Sequence, residues 1–575
     1  MGGGIRAAAL AAALLAWGFS SAVRAQSLTP QELQGAVRQG EELQRLQQEV
    51  QQGRQDARER ALQRPSGQAL PQAAAPAAVT APSGKCVKTK SLRLLGVHLL
   101  SQKEIARLRR QMVGNCISTA ELNALLRHIT DLYLAKGYVT TRAYIPPQDA
   151  AGGTLTIVVI EGRVERIEVQ PHGSAAVATA FPGMVGKVFN LRDAEQGIDQ
   201  LNRLGSNNAR IDIRPGSMPG YSDIEILNSP GRRVRASLSA DNTGTAATGL
   251  WQGGLALTVD DPLRINDGLF VSYTRNIDGP NQGPAMSRAT MVDYSVPYGW
   301  WTANLLYTDT GYDTLVPGIT RSFVTSGTDR AYTFRLDRVA YRDRSRKLTV
   351  YADLTRRDTE NFVAGQRITT GSRVLTLLDL SANLSWVQGL TLWSFDAGLS
   401  RGVSWLGGFH DAADLPGNAP HGDFLKATAS AGLSRGFAPM GIRTQLSSTL
   451  TGQWSNDVLY PSEQIAIAGP FAVRGYRRVT LYGDRGFTWR NELGFPLTIA
   501  PPRAVPLRLR PYIGADYGQV WSHDGLPGGH LSGGTVGIGY QSPHFDLELS
   551  WSAALAHSAT LPADHYVFAR FVANL

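Results

Sequence analysis

From about Arg232 to Leu575, apolar and polar residues alternate with period two. Val234, Ala236, Leu238 and Ala240 interleave with Arg235, Ser237, Ser239 and Asp241, and Leu348, Val350, Ala352 and Leu354 with Thr349, Tyr351, Asp353 and Thr355. Leu378, Leu380, Ala382, Leu384 and Trp386 alternate in the same way with Asp379, Ser381, Asn383 and Ser385. So do Phe545, Leu547, Leu549 and Trp551 with Asp546, Glu548 and Ser550. Successive side chains of a strand point to opposite faces, so each stretch predicts a strand with one apolar and one polar side. Repeated in segments of about ten residues between Gly, Asp and Asn turns, this predicts an antiparallel transmembrane β-barrel over 231–575. A soluble β-sandwich would not need so long a region of this pattern. Nor would it need aromatic residues near so many strand ends, as at Tyr298, Trp300, Trp301, Tyr307 and Trp393.

Upstream the period lengthens. In residues 86–163, Val87 to Leu99 predicts a strand and Gln102 to Val113 a helix. Ser118 opens a second helix, with Ala120, Leu122, Leu125, Leu126, Ile129, Leu132 and Leu134 near helical spacing and Gly137-Tyr138 ending it. Strands are predicted at Val139 to Ile145 and Thr154 to Ile160. Residues 164–230 repeat the order more loosely: a strand at Arg166 to Val169, a helix at Leu191 to Leu204, and strands at Ala209 to Ile213 and Ile224 to Leu227.

The N-terminal part has a different character again. Arg6, the apolar Ala7 to Trp17 and the small residues around Val23-Arg24-Ala25 predict a secretory signal over 1–25. Thr29-Pro30-Gln31-Glu32 is a capping box with Pro at the first helical position, predicting a helix in 26–62. That helix carries only a thin apolar stripe (Leu33, Val37, Leu43, Leu46, Val50), too little for an ordinary core. It suits either a polar, water-filled surrounding or a half-disordered tail. Residues 63–85, rich in Pro, Ala, Ser and Gly, read as a linker.

Charge and cysteines narrow the function. The formal net charge is +10, but the arginines are spread along polar strand faces, with only short pairs such as Arg232-Arg233 and Arg477-Arg478. A nucleic-acid binder would concentrate them, so they are assigned to the lumen and rim, with no nucleic-acid partner. The two cysteines, Cys86 and Cys116, fall in one small region. A disulfide between them would close a loop of about thirty residues and stabilise by about 3.7 kcal/mol on the chain-entropy account; two buried free thiols are the alternative.

No catalytic residue, metal site or cofactor is predicted. H-E-x-x-H, C-x-x-C and the phosphate-binding G-x-x-x-x-G-K-[ST] are all missing from the sequence. G-x-S-x-G occurs twice, around Ser400 and Ser434, but within alternating strands rather than the strand-turn-helix that a nucleophile elbow needs.

One pair of motifs stands out. Val473-Arg474-Gly475-Tyr476 puts an arginine on a Gly-containing turn, and Gly514-Ala515-Asp516-Tyr517-Gly518 puts an Asp two residues before a Gly within a strand. Together they suggest a loop folded back into the lumen and held by a charge-assisted pair. The V-R-G-Y and D-x-G combination resembles the barrel translocases that carry POTRA domains, and among these the two-partner secretion (TpsB) outer-membrane transporters of the ShlB/FhaC/HecB haemolysin secretion/activation type. Ile465 to Phe471 and Leu481 to Gly486 are similar to that family too. So are Lys136 to Arg142, Tyr144 to Gln148 and Val159 to Arg163, and the β-α-α-β-β order resembles a POTRA module.

The resemblance implies a plug helix at 26–62, POTRA modules at 86–163 and 164–230, and a barrel of sixteen strands, matching about 21 residues per strand and connection. It implies that Arg474 pairs with Asp516 in the lumen, a role suited to arginine's planar fork. Barrels of this class commonly end in Phe, from which Leu575 departs. The implied function is a pore in the outer membrane of a Gram-negative bacterium, in contact with its lipid. With its POTRA domains in the periplasm, it would export a large unfolded exoprotein carrying an N-terminal secretion domain (an adhesin, haemolysin or contact-dependent toxin) without ATP. The alternatives are an outer-membrane barrel-assembly factor and a barrel lipase using Ser400 or Ser434.

Overall fold

The computed structural model describes residues 87–149, 152–278, 285–316, 322–369, 371–478, 480–499, 507–521, 528–558 and 563–575. The expected signal (1–25), polar helix (26–62), linker (63–85) and Cys86 lie outside them.

The first module is a three-stranded sheet with two helices on it. Ser91–Leu95 runs parallel to the central Thr154–Ile160, and Arg142–Tyr144 lies antiparallel on the other side. The helices Gln102–Met112 and Thr119–Ala135 each start with a capping box, Ser101 with Glu104 and Ser118 with Glu121. In each, the Ser hydroxyl takes the third helical amide and the Glu carboxylate takes the amide of the cap, so two otherwise unpaired donors are satisfied. The helices bury Leu108, Leu125, Leu126, Ile129 and Tyr133 against Leu92, Leu155, Ile157 and Val159 of the sheet. The strand expected from Val87 to Leu99 is instead two, Val87–Lys88 and Ser91–Leu95, because the first turns away to pair with Cys116–Ile117. Strand structure after Gly137 begins only at Arg142.

The second module repeats the arrangement. Arg163–Gln170 is parallel to the central Tyr221–Asn228, with Ala209–Pro215 antiparallel beyond it. The helix Leu191–Asn202 covers the sheet, and a one-turn helix at Val177–Ala180 supplies the missing second one. Phe181 follows that turn and lies against Gly197, where any Cβ would come within 2.1 Å of its ring. The second helix was hidden in the sequence because one turn carries no periodicity.

Sixteen long antiparallel strands, with short segments Gln366–Arg367 and Leu497–Ile499 beside them, close into a barrel among the described residues. The first strand, Val234–Asp241, pairs with the last, His565–Asn574, through the register Ser237↔Asn574 to Asp241↔Arg570. The alternation sorts as expected. Phe545, Leu547, Leu549 and Trp551 are exposed on the outer wall, as are Leu238, Val350 and Leu380. Asp353, Thr355, Ser550 and Ser552 are buried on the inner one. Exposed apolar surface on this scale is stable only against lipid. No helix among the described residues is long and apolar enough to cross a membrane.

The second module is bolted to the barrel. Arg342 reaches from the end of the barrel strand Phe323–Arg342 to Asp199 (2.6 Å) and Glu195 (3.3 Å), and Gln200 donates to the carbonyl of Gly299 at 2.9 Å. Trp300, expected among the aromatic residues at strand ends, instead donates its indole N–H to Asp193 at 3.0 Å. Its place in the junction was decided by the docking of a distant helix.

Both G-x-S-x-G segments sit in barrel strands, Thr391–Val403 and Leu425–Phe437, each followed by a 3-10 turn, Trp405–Gly407 and Pro439–Gly441. The helix of a nucleophile elbow does not follow either serine.

Candidate functional site

The connection between the strands Thr444–Ser455 and Arg485–Gly494 folds into the barrel. Its tip is a tight reversal. Gly469 takes φ +125, Pro470 follows, and the Val473 amide returns to the Ile467 carbonyl at 3.0 Å. Ile467, Ala468, Val473, Tyr476 and Leu481 are buried against Val520 and Leu531 of the wall. An apolar patch on an otherwise polar inner wall gives the loop a seat.

Arg474 is 4% exposed, and so is Asp516. Nε of Arg474 donates to Asp516 Oδ2 at 2.7 Å and Nη2 to Oδ1 at 2.8 Å, the bidentate fork that lysine cannot make. The Arg474 backbone amide also donates to Oδ2, at 3.1 Å. The remaining side of the guanidinium meets Glu492 Oε2 at 2.9 Å and the Asn491 carbonyl at 3.0 Å. Glu492 is itself bridged to Arg510. The cation is therefore shared between two carboxylates from adjacent strands. Glu492 was not singled out in the sequence, where nothing local pairs it with Arg474.

Glycines make the approach possible. Gly475 has φ +100, and a Cβ there would fall 2.4 Å from the Ala553 carbonyl carbon. A Cβ on Gly533 would lie 1.6 Å from the Arg474 carbonyl oxygen, and one on Gly514 2.1 Å from Nη2. Gly518 receives Val473, whose Cγ2 would stand 2.9 Å from an added Cβ. The loop lies so close to the wall that side chains are excluded beneath it. Gly514 and Gly518 belong to the quoted strand motif; Gly533 was not singled out.

Tyr476 completes the seat. Its buried hydroxyl lies 2.9 Å from the Ser532 carbonyl and 2.8 Å from that of Ala556, sharing one proton between two strands. Beyond it, Asp564 Oδ2 accepts the amides of Arg477 at 2.8 Å and Arg478 at 2.9 Å. Asp564 was also missed, since it lies in a connection with no pattern of its own.

The structure thus brings Val473, Arg474, Gly475, Tyr476, Asp516 and Gly518 into one contact. The cysteines lie elsewhere: Cys116 is disulfide-bonded, at the edge of the first module, and Cys86 lies outside the described residues.

The comparisons agree with this architecture. Residues 87–162 match the ShlB-type POTRA domain and 163–215 a further POTRA domain, while 220–540 match the haemolysin secretion/activation protein ShlB/FhaC/HecB. The outer membrane transporter CdiB of Dickeya dadantii is 30% identical over 84% of this chain and 86% of its own length. The hemolysin transporter protein ShlB of Serratia marcescens is 30% identical over 96% and 97%. The solved structure of CdiB from Escherichia coli superposes with a TM-score of 0.82 at 27% identity, covering 96% of this chain and 100% of that one. The chain belongs to the haemolysin secretion/activation protein family ShlB/FhaC/HecB.

Proposed function

We propose that this chain is the transporter half of a two-partner secretion system. It sits in the outer membrane with its POTRA modules in the periplasm. A large exoprotein, unfolded and carrying an N-terminal secretion domain, is captured by the modules and passes through the barrel. Relatives named as transporters of hemolysin and as CdiB support a haemolysin or contact-dependent toxin as the class of cargo. The observation that carries the reading is the lumenal loop: a buried Arg474 held by Asp516 and Glu492 on the inner wall of a barrel joined to two POTRA modules.

Each module leaves outer strands of its sheet for an extended segment to join: Ser91–Leu95 and Arg142–Tyr144 in the first, and in the second Ala209–Pro215 and the part of Arg163–Gln170 beyond Val164, whose amide and carbonyl already pair with Lys187 and Gly186. Backbone pairing there would bind an unfolded chain with little regard to sequence. Direction comes from cargo folding outside, with no nucleotide and no catalysis. The expected polar helix of 26–62 would occupy the channel at rest, and the linker 63–85 would let it leave. Co-expression with the exoprotein encoded beside this gene tests the reading: cargo should appear outside the cell only when this chain is present. Cargo retained in the periplasm in both cases rejects it.

A further inference from the structure

The lumenal loop is held at a second place, about ten residues before Arg474. Glu463 ends the short turn Pro461–Glu463 and is 4% exposed. One carboxylate oxygen receives Arg357 Nη1, and the other receives Lys426 Nζ at 2.6 Å. Its backbone carbonyl also accepts from Gln453 at 2.9 Å and from Lys426 at 3.3 Å. Arg357 lies on Arg346–Val363, Lys426 on Leu425–Phe437 and Gln453 on Thr444–Ser455, all on the inner face. Asp329, on the strand before, stands 3.7 Å from Arg357. The neighbouring chain is fixed as well, since buried Asp484 accepts the Leu459 amide at 2.9 Å and the Gln464 side chain at 3.1 Å.

The two attachments lie on different parts of the wall. Glu463 binds the seventh and tenth long strands of the barrel, whereas Arg474 binds the twelfth and thirteenth. Arg477 reaches on to the Asn242 carbonyl, just after the first strand, at 2.9 Å. The charges are reversed between the ends: the loop offers a carboxylate to wall cations at one, and a cation to wall carboxylates at the other. A segment that binds walls this far apart has to pass through the lumen between them.

We infer that Glu463 is a second anchor, a positioning residue that with Arg474 holds the loop as a bar across the channel. The inference rests on the export reading for its purpose, but not for its test. A buried carboxylate facing two cations leaves both unmatched when it is neutralised, so the near end of the bar should come free while the Arg474 end stays seated.

Purified full-length protein in detergent and in planar bilayers supplies both readouts without any cargo. Glu463→Gln should speed amide exchange in 457–468 by about tenfold or more, leave 473–478 protected, and raise ion conductance. Lys426→Met should act in the same direction from the wall side but less strongly, since Arg357 still holds Glu463, and heat-modifiable electrophoretic mobility identifies the variants whose barrel is closed. Unchanged exchange in closed barrels of both variants overturns the anchor. Faster exchange without higher conductance overturns the bar. Failure of the export reading would appear in secretion assays of the wild type and would touch neither measurement.

Discussion

Asp516 accepts three hydrogen bonds from a single residue, Arg474: from Nε, from Nη2 and from the backbone amide. The backbone bond ties the carboxylate to the path of the loop as well as to its charge. Glu492 adds a second carboxylate, which Asp516 alone would not require.

The first prediction follows from that asymmetry. Breaking a buried pair from one side costs roughly 3–5 kcal/mol, because the remaining charge is left unmatched. Arg474→Ala strands Asp516 and leaves Glu492 to Arg510 alone, while Asp516→Ala leaves Arg474 with Glu492. Both should sharply lower export with normal outer-membrane levels, Arg474→Ala more so, and Arg474→Lys should not restore it. The double variant should be little worse than Arg474→Ala; additive secretion defects would show that the two act separately.

Gly533 tests the loop without touching a charge. An alanine methyl there would overlap the Arg474 carbonyl at 1.6 Å, so the loop has to lift. Gly539, on the same strand, has its nearest atom at 3.9 Å. Gly533→Ala should reduce export about as far as Arg474→Ala, and Gly539→Ala should leave it unchanged. Secretion assays at matched barrel levels distinguish them, and equal behaviour of the two alanines would refute the close seat.

The disulfide is expected to join Cys86 to Cys116, since Cys116 is bonded and the chain has two cysteines. Non-reducing peptide mapping should recover the linked pair. Cys86→Ser should lower the stability of the first module by about 3–4 kcal/mol and leave the barrel's heat-modifiable mobility as it is.

The first module should also lose stability in acid through Glu104. The Lys136 ammonium at 2.7 Å, helped by the amide and hydroxyl of Ser101, holds this carboxyl at a pKa of about 2. An unfolded Glu titrates near about 4.3. A depressed folded value means the contribution is complete above the unfolded pKa and is lost as pH falls from about 4 towards about 2. Hydrogen exchange of 101–136, corrected for its intrinsic pH dependence, should rise through that window in the wild type. Glu104→Gln should flatten the change; an identical profile in the variant would remove Glu104 as its cause.

Deleting 27–62 should raise ion conductance in bilayers while export largely persists, because the expected polar helix would block the channel without forming part of it. Conductance equal to that of the intact chain would argue against a plug.

The sequence alone determined which side of each barrel strand meets lipid. Side-chain alternation is a local consequence of backbone geometry, so Leu547 and Leu549 faced out and Glu548 and Ser550 in before any strand was paired. The two long helices of the first module were equally visible, since helical spacing is also local. Resemblance in short motifs pointed to Arg474 and Asp516. What only the tertiary structure decided was register and reach. Glu492, Asp564 and Glu463 lie 18, 90 and 11 residues from Arg474 in the chain; which of them the loop meets depends on barrel closure and on the path of the chain through the lumen. Trp300 changed role for the same reason: an aromatic at a strand end is a membrane-interface residue until a helix from another module arrives with Asp193. A buried charge takes its partner from whatever the fold brings within reach, and that information is spread over strands that no local pattern connects.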